Sequence, residues 1–411
     1  MSGYKKIDKC RISQSENLVS VLNLGEQYLT GVFPSNKDDK ITKGPLELVW
    51  CPDSSLVQLN HSYSAEEMYG ENYGYRSGLN QSMVSHLMSK VRYLQGLVDI
   101  SNNDIVLDIG SNDATLLKSY SVECKKIGID PTGEKFASYY TKDIDLVSDF
   151  FTEKNYKDIF DKPAKIITSI AMFYDLDDPI KFAQDISSIL DEDGIWHFEQ
   201  SYLPSMLKMN SYDTICHEHL EYYSLTSVKK ILDSADMKIV DVTMNNINGG
   251  SFAVTVAKKD NLSLNVNSPV IDWLFEQESN MGINTIKPYE DFSNRVFKHR
   301  DNLISLITKL RADNKTIIGY GASTKGNVTL QFCNFTSNEI QAIAEVNKDK
   351  FGCFTPGTNI PIISEDEAKQ MKPDYYLLLP WHFREGILKR EKTFLDNGGK
   401  FIIPFPEIEI I

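Results

Sequence analysis

The sequence predicts an α/β protein: a doubly wound sheet at the centre, a small β-rich domain before it and a second α/β unit after it. Three observations carry the prediction. From residue 105 to residue 256, short apolar runs alternate with stretches of helical period. Residues 105–130 read IVLDIGSNDATLLKSYSVECKKIGID, which parses as strand, tight turn, helix-like segment and strand, with Asp130 standing 20 residues after Gly110. Residues 315–327 read KTIIGYGASTKGN, a second strand that enters a Gly/Ser/Thr/Lys turn and then a helix.

Composition sets the outer bounds. The 411 residues are enough for two or three domains with ample core. Hydrophobic residues make up 41% and charged residues 24%, as in soluble globular proteins. A net charge of −14 and a pI of about 5.1 argue against a nucleic-acid or anionic-membrane partner. No apolar run is long enough to span a bilayer, and the opening MSGYKKIDKC lacks an apolar signal core, so a cytoplasmic location is expected. The cysteines (Cys10, Cys51, Cys124, Cys216, Cys333, Cys353) are sparse and irregularly spaced, which fits free thiols better than a disulfide framework.

The first 75 residues contain LNLGEQYLTGVF and PLELVWCPDSSLVQL, the latter reading as strand, turn and strand. Cys10 and Cys51 stand at turns, each followed three positions later by a serine, Ser13 and Ser54. Paired C-x2-C motifs would mark a zinc ribbon; C-x2-S twice does not, because a serine hydroxyl is a poor zinc ligand. Residues 69–78 are rich in Tyr and Gly and read either as a loop that closes over a ligand or as a linker. Met83, Leu87, Val91 and Leu94 then repeat at helical spacing.

In the central unit the turn after residues 105–107 has one glycine, Gly110, and so lacks the G-x-G-x-x-G of a dinucleotide site. Asp108 and Asp113 would repel a phosphate, whereas Asp130 sits where an acid accepts hydrogen bonds from a ribose. This suits a cationic ligand carrying a ribose, such as S-adenosylmethionine; it equally fits an ordinary α/β turn shaped by Asp and Asn. A strand and loop follow at residues 145–151 and strands at 166–173, 195–199, 238–242 and 252–256, with helices at 181–190 and 227–235. Ligands bind at the carboxyl ends of such strands, which points to Asp108, Asp130, Asp149, Tyr174 and Glu199. Residues 259–312 read as a helical connector. The turn at 319–327 is suited to phosphate: backbone N–H groups and a helix N-terminus favour an anion and Lys325 adds charge, although the spacing is not that of a Walker loop.

The densest chemistry lies at DTICHEHLEYY, residues 213–223. A histidine beside a carboxylate can act as general base near neutral pH. H-x-H can also be half of a metal site, but no third ligand is evident nearby.

Together these motifs resemble the bacterial sugar C-methyltransferases that act on nucleotide-linked 4-keto-deoxysugars. The resemblance keeps its order through LNLGEQYLTGVF, PLELVWCPDSSLVQL, YGYRSGLNQSM, VLDIGSND, CHEHLEYYSL, NGGSFAV, GYGASTKGN, FTPGTNIPI and GGKFIIPFP. It implies a zinc-binding-type domain over residues 1–75, degenerate here. It further implies a Rossmann-like class I methyltransferase domain over 76–258, a helical connector over 259–312 and a Rossmann-like sugar-nucleotide domain over 313–411. By resemblance, His219 is the base that removes the proton next to the C4 ketone, Glu218 is the acid beside it and Tyr75 is a substrate-site hydroxyl. S-adenosylmethionine contacts are implied at Asp108, Gly110, Asn112, Asp130, Asp149 and Phe150, and substrate contacts at His217, Tyr222, Lys325 and Asn327. No metal is expected, since Cys10 and Cys51 lack their partner cysteines, and a monomer is compatible with the sequence. Cys216 stands where the family commonly has Tyr, and Asp175 where it commonly has His. Methylation at oxygen or nitrogen of a related sugar nucleotide, or binding of one without catalysis, are the alternative functions.

Overall fold

The computed structural model describes residues 3–69 and 75–411; residues 70–74 of the Tyr/Gly-rich stretch lie outside the described residues. The central sheet has seven strands. In chain order they are Ile105–Ile109, Lys125–Ile129, Ile144–Val147, Ala164–Ile170, Leu190–Ser201, Met237–Asn245 and Ser251–Lys258. Their spatial order is 6-7-5-4-1-2-3. The first five are mutually parallel and the seventh pairs antiparallel with its neighbours on both sides. Ile105–Ile109 is buried along its whole length, which explains its unbroken apolar run around Asp108. The order reverses between the first and fourth strands, and there the carboxyl ends part to leave a crevice.

Local signals set the helix boundaries. Helix Pro179–Ile189 begins with proline, and the Asp178 side chain accepts from Lys181 N–H at 2.9 Å. Ser224 and Ser227 form a capping box on helix Leu225–Ser234. The N-terminus of that helix also receives a carboxylate from elsewhere in the chain. Glu278, on helix Ser268–Met281 and 1% exposed, accepts from Leu225 N–H (2.6 Å) and Thr226 N–H (2.9 Å), where the helix dipole favours negative charge. One expected helix is missing. After Gly110 the chain forms only the 3-10 turn Leu117–Ser119, because Asn112 (φ 49°) and Ala114 (φ 58°) take left-handed conformations that break a helical start.

The N-terminal residues form an antiparallel sheet of four strands: Glu221–Tyr222, Val57–Leu59, Lys43–Trp50 and Val19–Tyr28, in that order. Its edge strand Glu221–Tyr222 comes from the stretch just after the His219 turn, so the N-terminal sheet grips that turn directly. The C-terminal sheet of six strands repeats the doubly wound plan, with spatial order 3-2-1-4-5-6 counted from Ile317–Tyr320. A continuous apolar core joins Leu48 and Trp50 of the first sheet, Tyr212 and Ile215 of the central region, Phe292 and Val296 of helix Lys287–Ala312, and Ile318 and Tyr376 of the last sheet. The three sheets therefore pack as one body.

Cys10, Ser13, Cys51 and Ser54 converge. The pairs are Cys10 Sγ to Ser54 Oγ at 3.0 Å and Ser13 Oγ to Cys51 Sγ at 3.4 Å. Each C-x2-S turn is followed by a left-handed residue, Gln14 (φ 58°) or Ser55 (φ 61°), so the two loops share one shape. The donor set does not fit a tetrahedral zinc ion: it supplies two sulfurs and two hydroxyls, already hydrogen-bonded to one another.

Candidate active site

At the crevice the structure has a cavity of about 430 Å³. All three regions of the chain contribute to its surroundings. The central sheet supplies most of the wall, Tyr69 and Tyr75 come from the N-terminal side, and Thr324 and Lys325 come from the start of helix Thr324–Phe332.

One set of wall residues is Asp108, Gly110, Asn112, Asp130 and Phe150. Asp130 accepts from Asn112 N–H and Thr132 N–H, both at 2.7 Å, which fixes its carboxylate at the strand end. Asp108 accepts from the Thr168 hydroxyl at 2.6 Å. Burial, reinforced by the charge of Asp130 and opposed by the Thr168 bond, raises its carboxyl to about 7, so a cation placed beside it would gain by ionising it. Gly110 (φ 73°) leaves room against Met172, whose Cγ would lie 3.1 Å from a Cβ at this position. Asn112 accepts from Ser77 N–H at 3.0 Å and donates to the Tyr75 carbonyl at 3.1 Å, holding the Tyr75 backbone to the cavity rim. These features, an open backbone at Gly110 and clustered acids, fit the ribose and positive charges of S-adenosylmethionine. Asp149 does not reach the cavity wall; its carboxylate accepts from Phe150 N–H (2.7 Å) and Asn155 (3.0 Å).

The second set is Tyr174, Asp175, Glu218, His219, Asn248 and Lys325. His219 Nδ1 lies 2.8 Å from the Thr214 carbonyl, which can only accept, so Nδ1 carries the proton and Nε2 keeps its lone pair. Its ring packs on Tyr174 with centroids 4.3 Å apart. Burial first, and then the charge of Lys325, lower His219 to about 3, so it is unprotonated at neutral pH. Leu220 N–H donates to the Tyr174 carbonyl and Leu59 N–H to the Leu220 carbonyl, both at 2.8 Å, which pins the turn between two sheets. A Cβ at Gly31 would lie 2.1 Å from Glu218 Oε1, so a larger residue there would displace the Glu218 carboxyl. Lys325 donates to the Asn248 carbonyl at 2.9 Å.

Three expected substrate contacts do not line the cavity. His217 is fully buried with its ring edge-on to Tyr63 at 4.6 Å, packed against the N-terminal region and away from the cavity wall. Asn327 faces the N-terminal sheet and donates to the Thr30 carbonyl at 2.8 Å. Tyr222 is buried in its edge strand beneath the His219 turn.

Sequence reading missed two features. Gln200, fully buried and in the cavity wall, has no hydrogen-bond partner on either amide atom among the described residues. Glu199, noted only as a strand-end acid, is held by His86 Nε2 (2.6 Å), Lys90 Nζ (2.5 Å) and Asn245 Nδ2 (2.6 Å). His86 and Lys90 lie on one face of helix Gln81–Leu97 at i, i+4 spacing, the available signal, but nothing local names Glu199 as their partner.

Family models match the chain in three pieces. A "Putative zinc binding domain" covers residues 10–69, a "Methyltransferase domain" 84–242 and a "C-methyltransferase C-terminal domain" 246–406. The first match stands although two of the four expected sulfurs are serine oxygens here. The C-methyltransferase NovU of Streptomyces niveus is 30% identical over 99% of this chain and 97% of its own. Similar solved structures include an S-adenosylmethionine-dependent methyltransferase from Clostridium acetobutylicum, 14% identical over 44% of this chain and 92% of that one, with a TM-score of 0.33. Another is magnesium protoporphyrin IX methyltransferase from Synechocystis, with bound S-adenosylmethionine; it is 10% identical over 43% of this chain and 79% of that one, with a TM-score of 0.32. With NovU matched from end to end and methyltransferase domains in register, the chain belongs to the bacterial S-adenosylmethionine-dependent C-methyltransferases.

Proposed function

We propose that the enzyme methylates a carbon next to the ketone of a nucleotide-linked 4-keto-deoxysugar, through an enolate formed by His219. The observation that carries this reading is the tautomer of His219, with Nδ1–H tied to Thr214 and the Nε2 lone pair left at the cavity. An imidazole in this state can accept a proton from carbon, and its pinned turn holds the ring in one orientation. S-adenosylmethionine, when bound, supplies an electrophilic methyl group. Asp108, Gly110, Asn112, Asp130 and Phe150 would hold it. Thr324 and Lys325, at the start of a helix and at the cavity wall, support an anionic, phosphate-bearing acceptor. The resemblance in motif order supports a sugar as the acceptor's carbon skeleton, and the NovU match supports carbon as the atom methylated.

The test is mass spectrometry of products from a panel of nucleotide-linked 4-keto-deoxysugars, with wild type and His219→Asn. Wild type is expected to give a C-methyl product, while the variant loses most turnover and keeps its affinity for S-adenosylmethionine. Near-normal turnover by the variant removes His219 as the base; a methyl ether or methylamine product removes the carbon assignment.

A further inference from the structure

Unprotonated His219 is available as a base but is a weak one. A weak base takes a proton from carbon only where the negative charge left on the substrate is strongly stabilised. The stabilising group must stand in the same cavity and must donate a hydrogen bond.

Asp175 stands in that position. It ends the 3-10 turn Phe173–Asp175, one residue from Tyr174, on which the His219 ring packs. The Leu220 N–H bond to the Tyr174 carbonyl (2.8 Å) ties the two segments together one residue from each group. Phe173 locks the turn: it is fully buried, stacked on Tyr223 at 5.3 Å and packed edge-on to Trp196 at 5.1 Å. Asp175 Oδ1 is shielded from solvent and has no hydrogen-bond partner among the described residues. The titratable groups facing Asp175 are Tyr69, Cys216, Glu218, Glu221, Tyr222 and Tyr223, and none is a cation. The nearby Arg11 is engaged by Glu221 (3.4 Å) and Asp177 (3.7 Å). Among the described residues, none of the groups acting on Asp175 would balance its charge if it ionised. Burial first, then repulsion by Glu218 and Glu221, raise its carboxyl well above the ordinary range, and the Tyr69 bond only partly offsets this.

We propose that Asp175 is a further catalytic residue, present as the neutral acid, that donates its O–H to the ketone oxygen of the acceptor as enolate charge develops there. The inference rests on the C-methylation reading. The proton leaves carbon for His219 Nε2. The C–H electron pair becomes the C=C bond and the carbonyl π pair moves onto oxygen, where Asp175 O–H holds it by a hydrogen bond without giving up its proton. The electron pair then returns to re-form the ketone as the carbon bonds the methyl group, and the old C–S pair stays on sulfur. A buried histidine at this position would donate through N–H; an aspartate can do so only while protonated, and its surroundings keep it so.

The experiment compares wild type, Asp175→Asn and Asp175→Ala on the 4-keto-deoxysugar that wild type methylates. It reads kcat against pH, together with deuterium uptake at the acidic carbon in D2O with S-adenosylhomocysteine bound. Affinity for S-adenosylmethionine serves as the folding control. The amide of Asp175→Asn is a donor of the same shape and cannot ionise. It is expected to retain kcat and exchange within about tenfold, while Asp175→Ala loses on the order of 10²- to 10³-fold. The neutral acid exists below its raised pKa and is lost above it. Wild-type exchange should therefore fall at alkaline pH, and the fall should vanish in Asp175→Asn. If Asp175→Asn is as slow as Asp175→Ala, or fails to fold while wild type shows no alkaline fall, the neutral-donor role is overturned. Near-normal rates in Asp175→Ala overturn it as well. If wild type yields no C-methyl product and no exchange from any keto sugar, the C-methylation reading itself has failed and the inference falls with it.

Discussion

Glu199→Gln is expected to weaken the fold more than any other single-atom change at the cavity wall. Glu199 is 2% exposed and meets His86, Lys90 and Asn245 through its two oxygens. Burial alone would raise its carboxyl; the His86 bond and the Lys90 charge overcome that and hold it at about 2 against an ordinary 4.5. A depression of that size corresponds to about 3 kcal/mol of folding free energy at neutral pH. Because the folded value lies below the unfolded one, this contribution is complete above about pH 4.5 and disappears as pH falls towards 2. The glutamine variant also leaves Lys90, 7% exposed, without a counter-charge; breaking a buried pair costs roughly 3–5 kcal/mol. The assay is urea unfolding of cofactor-free protein at pH 7 for Glu199→Gln, Lys90→Met and the double variant. The single glutamine variant should lose about 3 kcal/mol, and the double variant should lose at least about 1.5 kcal/mol less than the sum of the singles. A loss below about 0.5 kcal/mol, or strict additivity, would refute the reasoning. Because Met83 and Leu87 on the same helix line the cavity, the variant should also bind S-adenosylmethionine more weakly.

Three other outcomes are expected. The double variant Ser13→Cys/Ser54→Cys should take up about one zinc ion per chain by elemental analysis, since it completes four sulfurs on two loops of matching shape; unchanged metal content would show that the serines are not what excludes zinc. Asp130→Ala removes the acceptor of two backbone N–H groups and the cavity acid proposed to meet the cofactor ribose, so S-adenosylmethionine affinity measured by calorimetry should fall on the order of 10- to 100-fold, and an unchanged affinity would contradict the ribose assignment. Gln200→Leu replaces a buried amide unpartnered among the described residues with an apolar side chain; the apo protein should melt at the same or a higher temperature while KM for the methyl acceptor rises, and a lower melting temperature with unchanged KM would mean that the amide serves the fold.

By itself the sequence determined the strands, their order of alternation and the turns at their ends, because apolar period, Gly, Pro and capping residues act over a few positions. Asp108, Gly110 and Asp130 were legible for that reason: one strand–turn–strand unit brings them together without help from the rest of the chain. The missing helix after Gly110 was not, since Asn112 and Ala114 adopt left-handed conformations in a loop held by Asp130 and by the Tyr75 backbone, both distant in sequence.

Only the tertiary structure decided the chemistry at the other side of the cavity. Neighbouring letters in C-H-E-H do not say that His217 packs on Tyr63 while Glu218 lines the cavity, nor that Thr214 fixes the tautomer of His219. The serines that break the zinc pattern acquire their meaning from the cysteines across the turn, 38 and 44 residues away. Protonation is the furthest from sequence of all. Whether Asp175 is an acid or a carboxylate depends on Glu218, Glu221 and buried phenols gathered from separate segments, and on Arg11 being engaged elsewhere. Electrostatic free energies follow distance and burial in space, and both are settled only when the N-terminal, central and C-terminal regions close around one cavity.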